Sequence, residues 1–211
     1  MKKIMNENEN LNFLEFDPKA LGVVGQNNEF ENSYVTNVYL AGKIEPNGWR
    51  QKIIDIRNNF FGDEKDKIRN GITIKYNDHI NITGPFFLSC DHSHYHGNNS
   101  HGVGLSSYND CYGLSDHFTE DEVKHICLEQ IKKSDVIFAY INDDTCYGTL
   151  YELGFAAALN KPILLLFDSN KRRKNMWFIA NGAKMAMVQD KYTGIKENFD
   201  EMIEYYEKFN K

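Results

Sequence analysis

Five short β-prone runs recur along the chain and leave room for a helix between most of them: NVYLAG (37–42), ITIKYN (72–77), DVIFAYI (135–141), PILLLF (162–167) and MAMVQD (185–190). Strands that are apolar on both faces must be covered on both, and parallel strands need crossover connections. The alternation therefore predicts a parallel sheet with helices on each side. Helical periodicity occupies about 47–61, 119–134, 148–160, a short stretch near 175–182, and 195–210. The second of these carries a start signal, with Thr119 as N-cap and Glu122 three residues on forming a capping box; Val123, Ile126, Cys127 and Ile131 then mark its buried stripe.

About five strands in this arrangement make a flavodoxin-like doubly wound α/β sheet the expected fold. At 211 residues the chain has the length of one domain. Residues 1–35, rich in Asn and Glu (NENENLN, GQNNEFEN), are expected to form an extension on a domain spanning 36–211. A formal charge of -6 and a pI near 5.6 argue against a surface built for a polynucleotide or an anionic membrane, so neither is expected as a partner. The four cysteines (Cys90, Cys111, Cys127, Cys146) form no C-x-x-C pair, and MKKIMNENENLNF lacks an apolar signal core. Reduced thiols in a cytoplasm are the expectation, and no run approaches the roughly 20 apolar residues of a membrane span.

Ligands of open parallel sheets bind beyond the carboxyl ends of the strands. The residues expected there are polar: Gly42 and Lys43 after the first strand, Asn142, Asp143 and Asp144 after the third, Asp168 and Ser169 after the fourth. Residues 84–118, following the second strand, should fold over the same edge. One residue stands out in this region. Glu152 is the only carboxylate between Thr145 and Asn160, and its helical neighbours Phe155, Ala156 and Leu159 are apolar. An ionised carboxylate costs several kcal/mol in such a setting unless something compensates it. Gly148 and Thr149 are expected to open its helix, which would put Glu152 in or near the first turn, where free N–H groups favour negative charge. Two readings follow: a carboxylate that caps its helix or pairs with a buried base, or one that stabilises or attacks a cationic centre at the strand ends.

VYLAGKI at the first strand, SDVIFAYINDD at the third, and YGTLYELGFAAALNKPILLLF resemble the nucleoside 2-deoxyribosyltransferase family and its nucleotide N-glycosidase relatives, over roughly 36–190. The resemblance implies that Glu152 of the E-L-G motif is the nucleophile and that the hydroxyl of Tyr39 orients it; Tyr39 could equally be a core aromatic. Cleaving an N-glycosidic bond builds an oxocarbenium-like centre that a carboxylate can stabilise or trap as a glycosyl ester. A second acid should protonate the departing base. Asp144 is the favoured candidate and Asp143 its rival, although Asp-Asp-Thr is also an ordinary turn sequence. GKIEPNGWR resembles the family's first loop, which nominates Gly42, Lys43, Trp49 and Arg50 as substrate contacts, with Lys43 and Arg50 toward a 5'-phosphate; exposed salt bridges would explain these two as well. Gly148 is nominated at the helix opening. NMWFIANGA resembles the segment that reaches a neighbouring subunit's site, nominating Asn175 and Trp177 and implying a homo-oligomer.

The chain departs from the family twice. Many members carry an Asp eight residues before the Asp that starts the third strand, and here that position is Cys127, which cannot replace a carboxylate at neutral pH unless its pKa is strongly lowered. GPFFLSCDHSHYHGNNSHGVG is the second departure, with His92, His94, His96 and His101 beside Cys90 and Asp91. This spacing matches no structural zinc pattern, and no metal or other cofactor is expected. The segment reads either as a substrate loop, in which Asp91 and His92 handle the proton, or as a solvated surface loop. The expected activity is cleavage or transfer of the N-glycosidic bond of a nucleoside or nucleoside 5'-monophosphate, with 2'-deoxyribose favoured over ribose as the sugar. Its alternatives are an NAD-type dinucleotide glycohydrolase, although no G-x-G-x-x-G follows the first strand, and a nucleotide sensor without catalysis.

Overall fold

The computed structural model describes residues 34–43, 48–54, 73–85 and 120–210. Six strands form one sheet: β1 (Thr36–Gly42), β2 (Ile74–Lys75), β3 (Ile80–Gly84), β4 (Val136–Ile141), β5 (Ile163–Phe167) and β6 (Met185–Val188), in the order β2-β3-β1-β4-β5-β6. All neighbours are parallel except β2 and β3. The five parallel strands, taken in chain order, lie second-first-third-fourth-fifth, the doubly wound order of a flavodoxin-like α/β fold. The direction of winding reverses between β1 and β4, so the crevice at their carboxyl ends is where this topology opens a binding site.

The second parallel strand is not the one the sequence suggested. ITIKYN contributes only the two-residue antiparallel β2, while the strand beside β1 is Ile80–Gly84. Asn77 makes the turn between them: its side-chain oxygen accepts from the His79 N–H at 2.8 Å, and the Tyr76 N–H reaches the Ile80 carbonyl at 2.9 Å. The polar Asn81 hid the strand, yet in the sheet its amide donates to the Asn37 side chain on β1 at 3.3 Å.

Alternation along the central strands sends side chains into two layers. Val38, Leu40, Phe138, Tyr140, Leu164 and Leu166 pack with Phe199, Met202 and Ile203 of the C-terminal helix and with Trp49 and Ile53 near the start of the fold. Tyr39, Ala41, Ile137, Ala139, Ile141, Leu165 and Phe167 face the opposite layer, with Ile126, Cys127, Ile131, Leu153 and Ala156. The helices are α1 (Arg50–Ile53), α2 (Glu120–Lys133), α3 (Tyr147–Ala158), α4 (Asn170–Asn175), α5 (Trp177–Gly182) and α6 (Ile195–Asn210). Within the described residues, the helix expected over 47–61 is a single turn, because Ile54 is already extended. The one short helix expected near 175–182 is a pair that meets at Met176. The proposed capping pair of α2 lies outside what is described, as does the histidine-rich segment with Asp91 and His92. No described helix is long and apolar enough to cross a membrane.

Candidate active site

Tyr39 and Glu152 are 113 positions apart and meet because of the sheet's alternation. Tyr39 points from β1 into the layer under α2 and α3, where it is 0 % exposed, and its hydroxyl donates to Glu152 Oε1 at 2.5 Å. Cys127, arriving from α2, is buried in the same layer, and its thiol bears on the electrostatics of both groups. Among the described residues Glu152 has no cation within ion-pair distance. The positive charge that bears on it is that of Arg50, whose guanidinium donates to backbone carbonyls.

The electrostatics follow from that arrangement. Burial pushes the Glu152 carboxyl above its ordinary value, while the Tyr39 hydroxyl, the Arg50 charge and the Cys127 thiol pull it back. The residue as a whole is half-buried, and its carboxyl is crowded by protein. Burial first, and the neighbouring Glu152 second, hold the Cys127 thiol well above its usual range, which keeps it protonated. Burial, then Cys127 and Glu152, do the same to the Tyr39 hydroxyl. Both groups beside the carboxylate are thus neutral.

The expectation that the helix start keeps Glu152 charged is corrected. α3 begins at Tyr147, after Cys146 at its N-cap, and has no acidic residue in its first turn. Glu152 sits in the second turn, beyond the N–H groups that lack intrahelical partners, and the terminal field fades within the first. The compensation comes instead from side chains on β1 and α2. Gly148 does lie at the opening of α3, exposed, with open space where a Cβ would stand.

At the end of β1 the chain turns at Gly42, with φ +154. A Cβ there would lie 2.8 Å from the Trp49 ring and 2.9 Å from the Tyr140 carbonyl, so only glycine fits. Trp49 is 3 % exposed and tilts against Phe138 and Tyr140 in the core, with ring centroids 5.9 and 5.7 Å away. Arg50, nominated for a 5'-phosphate, is 2 % exposed and donates to three carbonyls: Leu40 at 2.9 Å, Lys43 at 3.0 Å and Gly42 at 2.6 Å. These two side chains build the floor of the strand end, because a lone turn after β1 leaves its carbonyls needing donors and a guanidinium supplies several at once. Neither faces outward toward a substrate.

Lys43 does lie at the rim. It pairs with Asp143 across the β1/β4 crevice, both side chains partly exposed. Asp143 also accepts from the backbone N–H of Thr145 at 2.7 Å and from its hydroxyl at 2.6 Å. Lys43 first, and Thr145 after it, hold the Asp143 carboxyl well below the usual carboxylate range. Asp144, with its side chain 61 % exposed, instead accepts from Arg172 Nη1. Arg172 was not picked out from the sequence, although Asp168, four residues earlier and just before that short helix, is a cue. It binds Asp168 through Nε at 2.8 Å and Nη2 at 3.1 Å, so one guanidinium ties the turn after β4 to the end of β5. Burial pushes the Asp168 carboxyl up, but the donors on Arg172 and Ser169 outweigh it and leave it below its ordinary value. Asn175 ends α4 exposed, and Trp177 begins α5 with 61 % of its surface open. No group of three or more His, Cys, Asp or Glu side chains that could hold a metal occurs among the described residues.

No curated protein matches the chain. Residues 83–199 match the family model for nucleoside 2-deoxyribosyltransferase. That span includes Cys127, the acidic turn, Glu152 and Arg172, while Tyr39, Gly42 and Lys43 lie before it and join the same crevice through the sheet. With more than half of its length in the match, the chain belongs to the nucleoside 2-deoxyribosyltransferase family.

Proposed function

We propose that this protein cleaves or transfers the N-glycosidic bond of a 2'-deoxynucleoside or its 5'-monophosphate, with Glu152 as nucleophile. Membership of the family supports glycosyl transfer on nucleosides as the general reaction. The observation that carries the finer reading is the carboxylate itself, which is crowded by protein and accepts a hydrogen bond from the neutral Tyr39 hydroxyl. A carboxylate clamped by a guanidinium would be poorly disposed to attack carbon, whereas one oriented by a hydroxyl keeps lone pairs for it.

In the proposed reaction Glu152 attacks the anomeric carbon as the C–N bond breaks, and the electron pair of that bond leaves with the base. The result is a glycosyl ester of Glu152. Asp144 supplies the proton the base takes up. Asp143 is the poorer donor, since Lys43 and Thr145 fix it as an anion, whereas Asp144 is held among the described residues by Arg172 alone and is open to the outside. Asp91 and His92 remain proton-handling candidates outside the described residues. Water or a second base attacking the ester completes hydrolysis or transfer. Lys43 and Gly42 supply the sugar or phosphate edge of the site. The exposed aromatic pair Trp177 and Phe178 supports a homo-oligomer that buries them.

The test is to incubate deoxynucleosides, ribonucleosides, their 5'-monophosphates and NAD with the protein, with and without an acceptor base, and to analyse free base and exchanged product. Glu152→Gln should bind but release no base, and the denatured native protein should carry the mass of one glycosyl group early in turnover. Base release by Glu152→Gln at the native rate refutes the nucleophile. Release only from NAD, or binding with no release at all, would put a dinucleotide glycohydrolase or a sensor in its place.

A further inference from the structure

The exposed pair Trp177 and Phe178 follows directly on a run of cations, and a second exposed aromatic pair, on the other side of the sheet, follows on a run of acids. We infer that copies of this chain associate head to tail, the basic and aromatic face of α4 and α5 on one copy docking against the acidic and aromatic face of α6 on the next. The inference rests on the homo-oligomer proposed above and is independent of the role of Glu152.

The short helix α4 carries four cations and no acid. Arg172 turns to the acidic rim, where it binds Asp168 and Asp144. Lys171, Arg173 and Lys174 are exposed, and no ion pair engages them among the described residues. Trp177 and Phe178 are then 61 % and 76 % exposed, their rings edge to face at 5.7 Å. The balance on α6 is the reverse, five acids against two bases. Lys196 is spent on Asp200, and Lys208 lies over the Phe209 ring at 5.6 Å from its centroid. Glu197, Glu201 and Glu204 stay exposed along one stripe of the helix. Tyr205 and Phe209 extend that stripe, 42 % and 59 % exposed, with ring centroids 4.5 Å apart.

The two faces lie on opposite sides of the sheet: Phe199, Met202 and Ile203 of α6 pack in one layer, Ile179 and Ala180 of α5 in the other. A twofold pair through α4 and α5 would set cations against cations. Charge therefore favours one face on the other, the heterologous geometry that builds a ring or an open chain, with two aromatic pairs to bury at each contact. A polyanion could also meet the cations, but it would face a chain of net charge -6 and leave the acidic stripe unused.

The test is sedimentation velocity on the full chain across protein and salt concentration. The fluorescence of Trp177 is followed alongside, since it is the exposed one of two tryptophans. Association should shift its emission to the blue and weaken about tenfold or more between about 0.05 and 0.5 M salt. Two charge-reversed chains, one with Lys171→Glu, Arg173→Glu and Lys174→Glu, the other with Glu197→Lys, Glu201→Lys and Glu204→Lys, should each stay monomeric and should assemble when mixed. Should either triple variant fail to unfold cooperatively in urea, the single changes Arg173→Glu and Glu201→Lys must show the same pattern. Native-strength association of the Glu→Lys chain alone, or a mixture of folded variants that stays monomeric, overturns the head-to-tail contact. An emission shift that needs an added single-stranded oligonucleotide assigns the basic face to a polyanion and overturns it too. A native chain that is monomeric at every concentration removes the homo-oligomer beneath the inference.

Discussion

Replacing Tyr39 with Phe removes one oxygen from a fully buried ring and tests what holds Glu152 in place. The ring volume is kept, so the penalty is that of the hydrogen bond alone. At a pH where Glu152 is ionised, the lost bond is one to a charged group, worth about 1.5–3 kcal/mol; where Glu152 is protonated it is a neutral bond worth about 0.5–1.5 kcal/mol. The sign of the pH dependence follows from the raised carboxyl. A folded chain that holds a proton more tightly than the unfolded chain gains stability that is complete below the ordinary value of 4.5 and is lost as the pH rises through the folded value. Removing a donor to the charged form raises that folded value further. Tyr39→Phe should therefore cost more in neutral solution than in acid, by about 1 kcal/mol or more. Urea unfolding of native and variant chains at about pH 4 and about pH 8 measures it, and in a Glu152→Gln background the difference between the two should vanish. An equal penalty at both pH values would refute the claim that the hydroxyl serves an ionised carboxylate.

Gly42→Ala must fit a Cβ against the Trp49 ring and the Tyr140 carbonyl at a φ of +154, and should cost at least about 2 kcal/mol in urea unfolding. Arg50→Met strips the carbonyls of Leu40, Gly42 and Lys43 of a shared donor and should lose about 3 kcal/mol or more; Arg50→Lys should recover only part of this, since an ammonium cannot span the three. Arg172→Ala breaks partly exposed pairs and should cost under about 1 kcal/mol at neutral pH. Because Asp168 is held below its ordinary 3.8, that contribution is present above this value and disappears as the pH falls through the folded one, so the deficit should narrow as the pH is lowered below 3.8 in the same assay. The pH ranges over which the two losses change are thus separate: that of Tyr39→Phe grows above 4.5, and that of Arg172→Ala closes below 3.8.

How far the sequence could be read depended on whether a residue's environment is local. DVIFAYI and PILLLF became β4 and β5 because buried central strands are apolar on both faces and need no partner to be recognised. INITG escaped because its Asn is satisfied by another Asn on β1, 44 residues away. Glu152 was conspicuous as one charge among apolar neighbours, yet the source of its compensation was misplaced. The helix start is a local cue, whereas the Tyr39 hydroxyl reaches it across 113 residues. Arg50 shows the same limit from the other side. An isolated Arg after a Trp looks like a surface cation, and only the carbonyls left at the end of β1 make it a buried structural one.

The two carboxylate groups of the crevice are governed by different physics, and that difference constrains the chemistry. Asp143 and Asp144 face cations at a partly exposed rim, where ion pairs are cheap to open and close and screening softens each of them. Glu152 lies under the helices, where a contacting cation would bind so firmly that attack on carbon would have to break it, and a neutral donor takes its place. A nucleophile needs a fixed direction with free lone pairs, and a proton donor needs to exchange partners with a departing base; the interior supplies the first and the rim the second. On this division a charge introduced at Cys127 should harm attack, while a charge removed at Lys43 should alter how the base leaves. Burst kinetics can tell these apart. Cys127→Asp should shrink the early glycosyl-enzyme signal, and Lys43→Ala should preserve it while changing the dependence of the rate on the basicity of the leaving base.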